Sequence, residues 1–353
     1  MSVGLSHATD KRENTADFLV VWGADGGHSV KVFQVRRTLP RRCMNHSSNY
    51  SQPLIFRAGA AVTRVAAVPE GLELECQLPW LAGPDTQVLA RAAARVRRGE
   101  DWVLQGADLL AGVLVSAGGA SREDESCRLY RRLFALTRGL HRHRIWNYVP
   151  RINDVVAGVE NYVTFNAGRH RAFAEQFGGI FMPDLSAASA VGSQGGALAL
   201  AFVAGSQAAR SYENPLQTPA AHYPDCYGAN APLFVRGSRV DAADGSTCWH
   251  LSGTASIRAS ETIGGDFARQ LDVTLENIEC ILGEMAVPAL RRATWKVFLR
   301  DRRDLAVCQQ RLAAVYPAEV ARMMFVEADI CRRDLLLEIE GMFLAGPREN
   351  LPV

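Results

Sequence analysis

No stretch of this chain offers the roughly 20 consecutive apolar residues that a membrane-spanning helix needs, and the opening MSVGLSHATDKRENTADF has no apolar signal core. A cytoplasmic protein that does not engage membranes is the expectation. An excess of one charge is also missing: 39 Lys plus Arg face 37 Asp plus Glu, a formal +2, too balanced for the broad basic field of a nucleic-acid binder. The eight cysteines, Cys43, Cys76, Cys127, Cys226, Cys248, Cys280, Cys308 and Cys331, form no CxxC or other close ligand spacing, so reduced thiols are expected. His141 and His143 lie close together but between Arg142 and Arg144, with no acid or thiolate nearby, and no metal is expected there. A GxSxG elbow, HExxH, a P-loop and GxGxxG are all lacking, which removes the common nucleophile, zinc, nucleotide and dinucleotide classes and leaves no expected cofactor.

What is present is a chain of 353 residues with 48% hydrophobic content, enough for a large core and for two domains or one composite one. Residues 1–52 read as a hairpin, with strands at Phe18–Trp22 and Ser29–Val35, followed by a polar loop. An α+β domain is expected over 53–179. Residues 54–80 alternate as strands, with Leu72, Leu74 and Cys76 in phase; helical spacing follows over Thr86–Arg98, over 123–144 and over Asp154–Phe177. A second α+β domain is expected over 180–353. Its strands are predicted at 196–203, 232–240, 247–257, Trp295–Arg300, Phe325–Ile330 and Leu335–Gly341, its helices at Phe267–Leu282 and Leu305–Tyr316. No tandem repeat is visible in the residues.

Several segments could carry chemistry. RIWNYVPRIN, residues 144–153, gathers two aromatics and two amides around Pro150, as readily a packed turn as a loop with polar tips. In ENYVTFNAGR, Arg169 follows a glycine that permits close approach; it could fork a carboxylate or make a plain surface ion pair. Tyr223 lies in the proline-broken HYPDCYG and Arg236 in PLFVRGSRV, a pair that could grip a second carboxylate. SGTASI, residues 252–257, is a run of small residues suited to a ligand floor or to a tight strand crossing. Glu338 and Glu340 share one strand face, and Glu338 sits between Leu337 and Ile339, where desolvation would raise its pKa and fit it to donate a proton.

Taken in order, RIWNYVPRIN, ENYVTFNAGR, HYPDCYG with PLFVRGSRV, SGTASI, WKVFLRDRRDL and VEADICRRDLLLEIEG resemble the chorismatase family over about residues 140–341, and the last part resembles RidA (YjgF) proteins. The resemblance implies an α+β fold in two parts, with RidA-like (chorismate-mutase-like) layers of sheet and helix in the catalytic half. It implies chorismate as substrate, with no cofactor and no metal. Glu338 would be the catalytic acid, protonating the enolpyruvyl methylene. Tyr148 with Arg169 would hold one carboxylate and Tyr223 with Arg236 the other, while Gly253 and Ala255 shape the floor and Cys331 lines the ring pocket. Pyruvate plus 3-hydroxybenzoate, destined for a secondary metabolite, is the implied outcome. The alternatives are hydrolysis to pyruvate and a dihydroxycyclohexadiene carboxylate, an enamine- or imine-acting RidA-like enzyme, and a non-catalytic binding protein. A monomer and a trimer are both compatible with it. Where relatives continue SGTASI with Gly-His, this chain has Ala259-Ser260, which would replace any support that histidine gives.

Overall fold

The computed structural model of the protein describes residues 18–21, 31–34, 52–59, 63–69, 71–118, 121–179, 185–288 and 293–346. The chain divides into two units, Met1–Ser48 and Asn49–Val353. In the first, β1 (Phe18–Val21) and β2 (Lys31–Gln34) pair antiparallel, as the hairpin reading expects.

The second unit opens with β3 (Gln52–Gly59), β4 (Arg64–Val68) and β5 (Gly71–Gln77), then β6 (Trp80–Ala82) and β7 (Thr86–Ala92); strands β4-β5-β3-β7 form a four-stranded sheet. Leu72, Leu74 and Cys76 are all buried on its inner face. The helix expected over Thr86–Arg98 is instead β7 and β8 (Ala94–Arg98). The misreading has a local cause. Leu54 pairs with Ala90 and Ile55 with Val88, so Leu89 is an extra residue in the ladder, and this bulge breaks the period of two into a spacing that imitates a helix.

β8 is followed by β9 (Asp101–Gln105), β10 (Leu109–Val115), helix α1 (Arg122–Leu136), β11 (His141–Pro150), a small hairpin of β12 (Val155–Val156) and β13 (Val159–Glu160), helix α2 (Asn161–Phe177), β14 (Ala187–Ser193) and β15 (Ala199–Gly205). Ser121 caps α1 by accepting from the Asp124 N–H at 3.2 Å, and Glu123 and Asp124 favour the same helix end. The expected helix over 123–144 stops at Leu136, and the one over Asp154–Phe177 begins only at Asn161. Ala157 and Gly158, at φ 52° and 84°, make the turn between β12 and β13 before it. The α2 glycine, Gly168, lies so close to the Glu123 carbonyl of α1 that a Cβ would collide with it, and the two helices cross there.

Then come β16 (Arg210–Tyr212), β17 (Gly237–Asp241), β18 (Thr247–Thr254), a short hairpin of β19 (Ile257–Arg258) and β20 (Glu261–Thr262), α3 (Phe267–Glu284), β21 (Ala293–Leu299), α4 (Leu305–Val315), β22 (Met324–Glu327), β23 (Asp329–Ile330) and β24 (Leu337–Ala345). The strand expected over 232–240 begins only at Gly237. These later helices and strands otherwise fall close to where spacing places them, with Leu271, Leu275 and Ile278 of α3 buried against the sheet.

Two seven-stranded sheets result, ordered β23-β14-β11-β15-β10-β9-β8 and β16-β17-β18-β24-β21-β22-β6. Numbered within themselves, β8 to β15 and β16 to β24 trace the same path: three antiparallel strands, a helix, a strand, a helix, a strand parallel to it, and a last strand inserted centrally between the third and fourth. The second unit is therefore built on a topological duplication that the residues do not display. Strands 187–205 finish the first sheet, because they pair with β10 and β11; they do not open the second half, which begins at β16 and not near residue 180. Each sheet also borrows its outermost strand from the far end of the chain: β23 closes the first sheet beside β14, and β6 closes the second beside β22. The α+β class expected from the sequence is the class observed. Helices α1 and α2 cover one sheet and α3 and α4 the other, while the opposite sheet faces meet the four-stranded sheet around Phe56, Leu74, Tyr148 and Phe298.

Candidate active site

The seam between the two large sheets is held by Ser252, whose hydroxyl accepts from the Ala188 N–H at 2.9 Å and donates to the Val235 carbonyl at 2.6 Å. Ser252 begins SGTASI, so that run forms a tight crossing between strands, and its next residues line a cavity of about 530 Å³. The cavity brings together Arg169, Tyr223, Arg236, Gly253, Ala255, Cys331 and Glu338, seven of the eight residues singled out in the sequence.

Tyr148 is the exception. On β11, Trp146 and Tyr148 point into the core shared with the four-stranded sheet, where the Tyr148 ring stacks on Phe56 at 5.2 Å and its hydroxyl accepts from Lys296 Nζ at 3.1 Å. It does not line the cavity. Tyr162, two turns before Arg169 on α2, does line it, alongside Tyr223 and Tyr227. Residues 162, 166 and 169 recur at i, i+4 and i+7 on one helix face, a spacing from which Tyr162 could have been found.

Glu338 enters from β24 between Leu337 and Ile339, both buried, and is itself 4% exposed. Its Oε1 has no hydrogen-bond partner. A Cβ on Gly253 would collide with that same oxygen, so the glycine makes room for the carboxyl itself, which lies over the β18 backbone. Burial first, and the charge of Glu340 second, push the Glu338 carboxyl up to about 8, against the pull of Arg144 and Arg236. At neutral pH the group carries a proton.

The two arginines are equally short of partners. Arg236 donates through Nη2 to the Tyr223 hydroxyl at 2.6 Å and to the Thr218 carbonyl at 3.2 Å, leaving Nε unpaired; Arg169 donates through Nη2 to Asn166 Oδ1 at 2.7 Å, and its Nε too is unpaired. Both are nearly fully buried, and among the described residues neither meets a carboxylate within ion-pair distance. A buried guanidinium without an acid is costly unless an anionic ligand completes it. Arg332, beside them, stacks on Tyr227 at 3.7 Å from the ring centroid and donates to the Ser260 carbonyl at 2.8 Å. Ala259 and Ser260 thus make the turn between β19 and β20, with Ala259 at φ 47°, and support the cavity through Arg332 without lining it. Burial, and then the Glu338 charge, push the Cys331 thiol up to about 12, so it stays protonated. No group of three or more His, Cys, Asp or Glu able to hold a metal occurs among the described residues, and no helix there is long and apolar enough to cross a membrane.

Two buried arginines without an ion-pair partner among the described residues thus share one cavity with a desolvated, proton-bearing carboxyl. Residues 80–204 match the family described as "Chorismatase FkbO/Hyg5-like, N-terminal". A chorismatase of Streptomyces hygroscopicus is 34% identical over 248 residues, 66% of this chain and 71% of that protein, and a 3-hydroxybenzoate synthase of the same organism is 35% identical over 57% of this chain and 63% of its own length. A crystal structure of a chorismatase superposes with a TM-score of 0.73 at 29% identity, covering 85% of this chain and 95% of that one. The chain belongs to the chorismatase family, and it is an enzyme of the kind that family comprises.

Proposed function

We propose that this enzyme cleaves the enolpyruvyl ether of chorismate and releases pyruvate and 3-hydroxybenzoate. The observation that carries the reading is the meeting of Arg169 and Arg236, buried and without an ion pair among the described residues, with the unpartnered Oε1 of Glu338 in one cavity. Chorismate carries two carboxylates and one ether whose methylene accepts a proton. Arg236 with Tyr223 binds one carboxylate, and Arg169 with Tyr162 the other. Glu338 then delivers its proton to the methylene carbon, forming an oxocarbenium ion at the ether carbon and leaving a carboxylate beside Arg236. Cleavage of the ring C3–O bond of that ion lets the ether oxygen leave as the ketone of pyruvate. The C4 hydroxyl oxygen bonds C3 and gives its proton back to Glu338, and opening of that bridge at C4 with transfer of the C3 proton to the oxygen leaves 3-hydroxybenzoate. Pyruvic acid and 3-hydroxybenzoic acid together hold every atom of chorismate, so the aromatising outcome consumes no water, whereas hydrolysis to the diene diol consumes one.

Cys331 and Ala255 both line the cavity with Glu338, where a bound ring would meet them. The relative named 3-hydroxybenzoate synthase supports aromatisation over capture by water as the exit, with the Glu338 carboxylate taking back the proton it gave. The protein acts in the cytoplasm on this reading, in keeping with cysteines that form no close-spaced pairs in the sequence. Incubating purified protein with chorismate, following pyruvate by a coupled assay and separating the ring products tests it. Pyruvate with 3-hydroxybenzoate is expected; a non-aromatic diol would move the assignment to hydrolysis, and no pyruvate above background would overturn it.

A further inference from the structure

Directly behind Glu338 lies a second carboxylate that the reaction does not touch. Glu340 is two residues along β24 on the same face, 3% exposed, and is clamped by Lys296 Nζ on Oε1 and Arg144 Nη2 on Oε2, each at 2.8 Å. Lys296 is directly opposite Glu340 in the β21–β24 ladder, its ammonium 4.0 Å from the Phe56 ring centroid, and Arg144 also donates to the Ser189 hydroxyl at the cavity wall. Lys296 and Arg144 are both fully buried. Such a cluster is a poor device for stability, since apolar residues of similar volume commonly serve a core as well or better. Its location beneath the reacting carboxyl calls for another reason.

We propose that Glu340, locked between Lys296 and Arg144, is a positioning residue for the reaction, a fixed buried anion that keeps the neighbouring Glu338 carrying its proton at the cavity wall. This rests on the reading of Glu338 as the acid. Burial would push the Glu340 carboxyl up, but Lys296 and Arg144 outweigh it and hold the group below its ordinary value, so the anion persists across the working range. The other groups facing Glu338 do not supply this effect. Arg144 from β11 and Arg236 ahead of β17 pull it the opposite way; Cys331 ahead of β24 and Tyr162 on α2 are neutral; and His250 of β18, forced far down by burial and by Arg144, is neutral too. Two positions along a strand separate the carboxyls by about 7 Å, and a unit charge at that distance in an effective dielectric of about 20 is worth about 1.7 pH units.

The test reads Glu338 directly, by the infrared carboxyl band that Glu338→Gln removes, titrated in the ligand-free protein, alongside the pH profile of kcat. Glu340→Gln leaves Lys296 unpaired in the core, so the double variant Lys296→Met/Glu340→Gln, which removes the pair together, is compared with it. The expected result in either variant is a midpoint lowered by about one pH unit or more, with the alkaline limb of kcat moving down by the same amount. An unmoved midpoint in the folded double variant overturns the proposal, even with pyruvate released normally from chorismate. A lowered midpoint in a protein that releases no pyruvate supports it and removes only the substrate reading.

Discussion

Replacing Glu338 with glutamine keeps the size and shape of the side chain and takes away the proton it can give. With its carboxyl at about 8, roughly nine-tenths of the wild-type enzyme holds that proton at pH 7. Loss of a positioned general acid costs about 10²- to 10⁴-fold, and that is the expected fall in kcat for pyruvate release, with the affinity for chorismate retained because Arg169 and Arg236 are untouched. The same substitution should make the protein more stable. The folded state binds the Glu338 proton more tightly than the unfolded chain, whose carboxyl titrates near 4.5, so this group's contribution is whole below pH 4.5 and is lost as pH rises through about 8. At pH 7 the cost is close to two and a half pH units at 1.36 kcal/mol each, about 3 kcal/mol. Urea unfolding of both proteins at pH 5 and pH 8 measures it: the variant's advantage should widen toward pH 8. A variant that still turns over within tenfold of wild type, or a stability gap that does not widen with pH, would refute the argument from desolvation.

Gly253→Ala places a methyl against Glu338 Oε1 and Cδ, and a displacement of about 1 Å at the reacting group is expected to lower kcat by about 100-fold while the fold survives, as circular dichroism with steady-state kinetics would show. Arg236→Gln and Arg169→Gln each leave one carboxylate without its guanidinium; KM for chorismate should rise at least about tenfold in each, and inhibition by a monocarboxylate analogue should change less than inhibition by a dicarboxylate. Tyr148→Phe removes only one of the two acceptors of Lys296, so KM should stay put while urea unfolding shows a stability loss of about 1 kcal/mol; a KM effect as large as that of Arg236→Gln would put Tyr148 back in the site.

Most residues of the cavity are legible in the sequence because they are chemically unusual for where they stand. Glu338 between two apolar neighbours and Arg169 after Gly168 break local expectation, and Tyr223 and Arg236 flank a proline-rich loop; all four reach the cavity. Tyr148 comes from the resemblance alone, in a segment that reads as a turn or loop; it lies instead on β11, both faces of which are buried, one under α1 and α2 and the other against the four-stranded sheet, and its side chain is on the face away from the cavity. The bulge at Leu89 hid β7, and the left-handed turn at Ala157 and Gly158 hid a hairpin inside an apparent helix. The duplication was invisible for a different reason. A common path for the chain constrains only where apolar side chains fall, and two halves carrying different duties, one giving Arg169 and the other Glu338, need share nothing else.

The borrowed edge strands make the two halves of the second unit inseparable in a concrete way. A chain opened at residues 206–209, between the repeats, would leave β6 on the first fragment and β23 on the second, so each piece would carry the strip that finishes the other's sheet. Neither piece could saturate its own edge, and mixing them would offer the missing backbone partners reciprocally. Covalent continuity at that point is then less important than reciprocity, and reassembly of the cut fragments would restore the cavity together with the sheets, since its arginine from α2 and its acid from β24 arrive on different pieces.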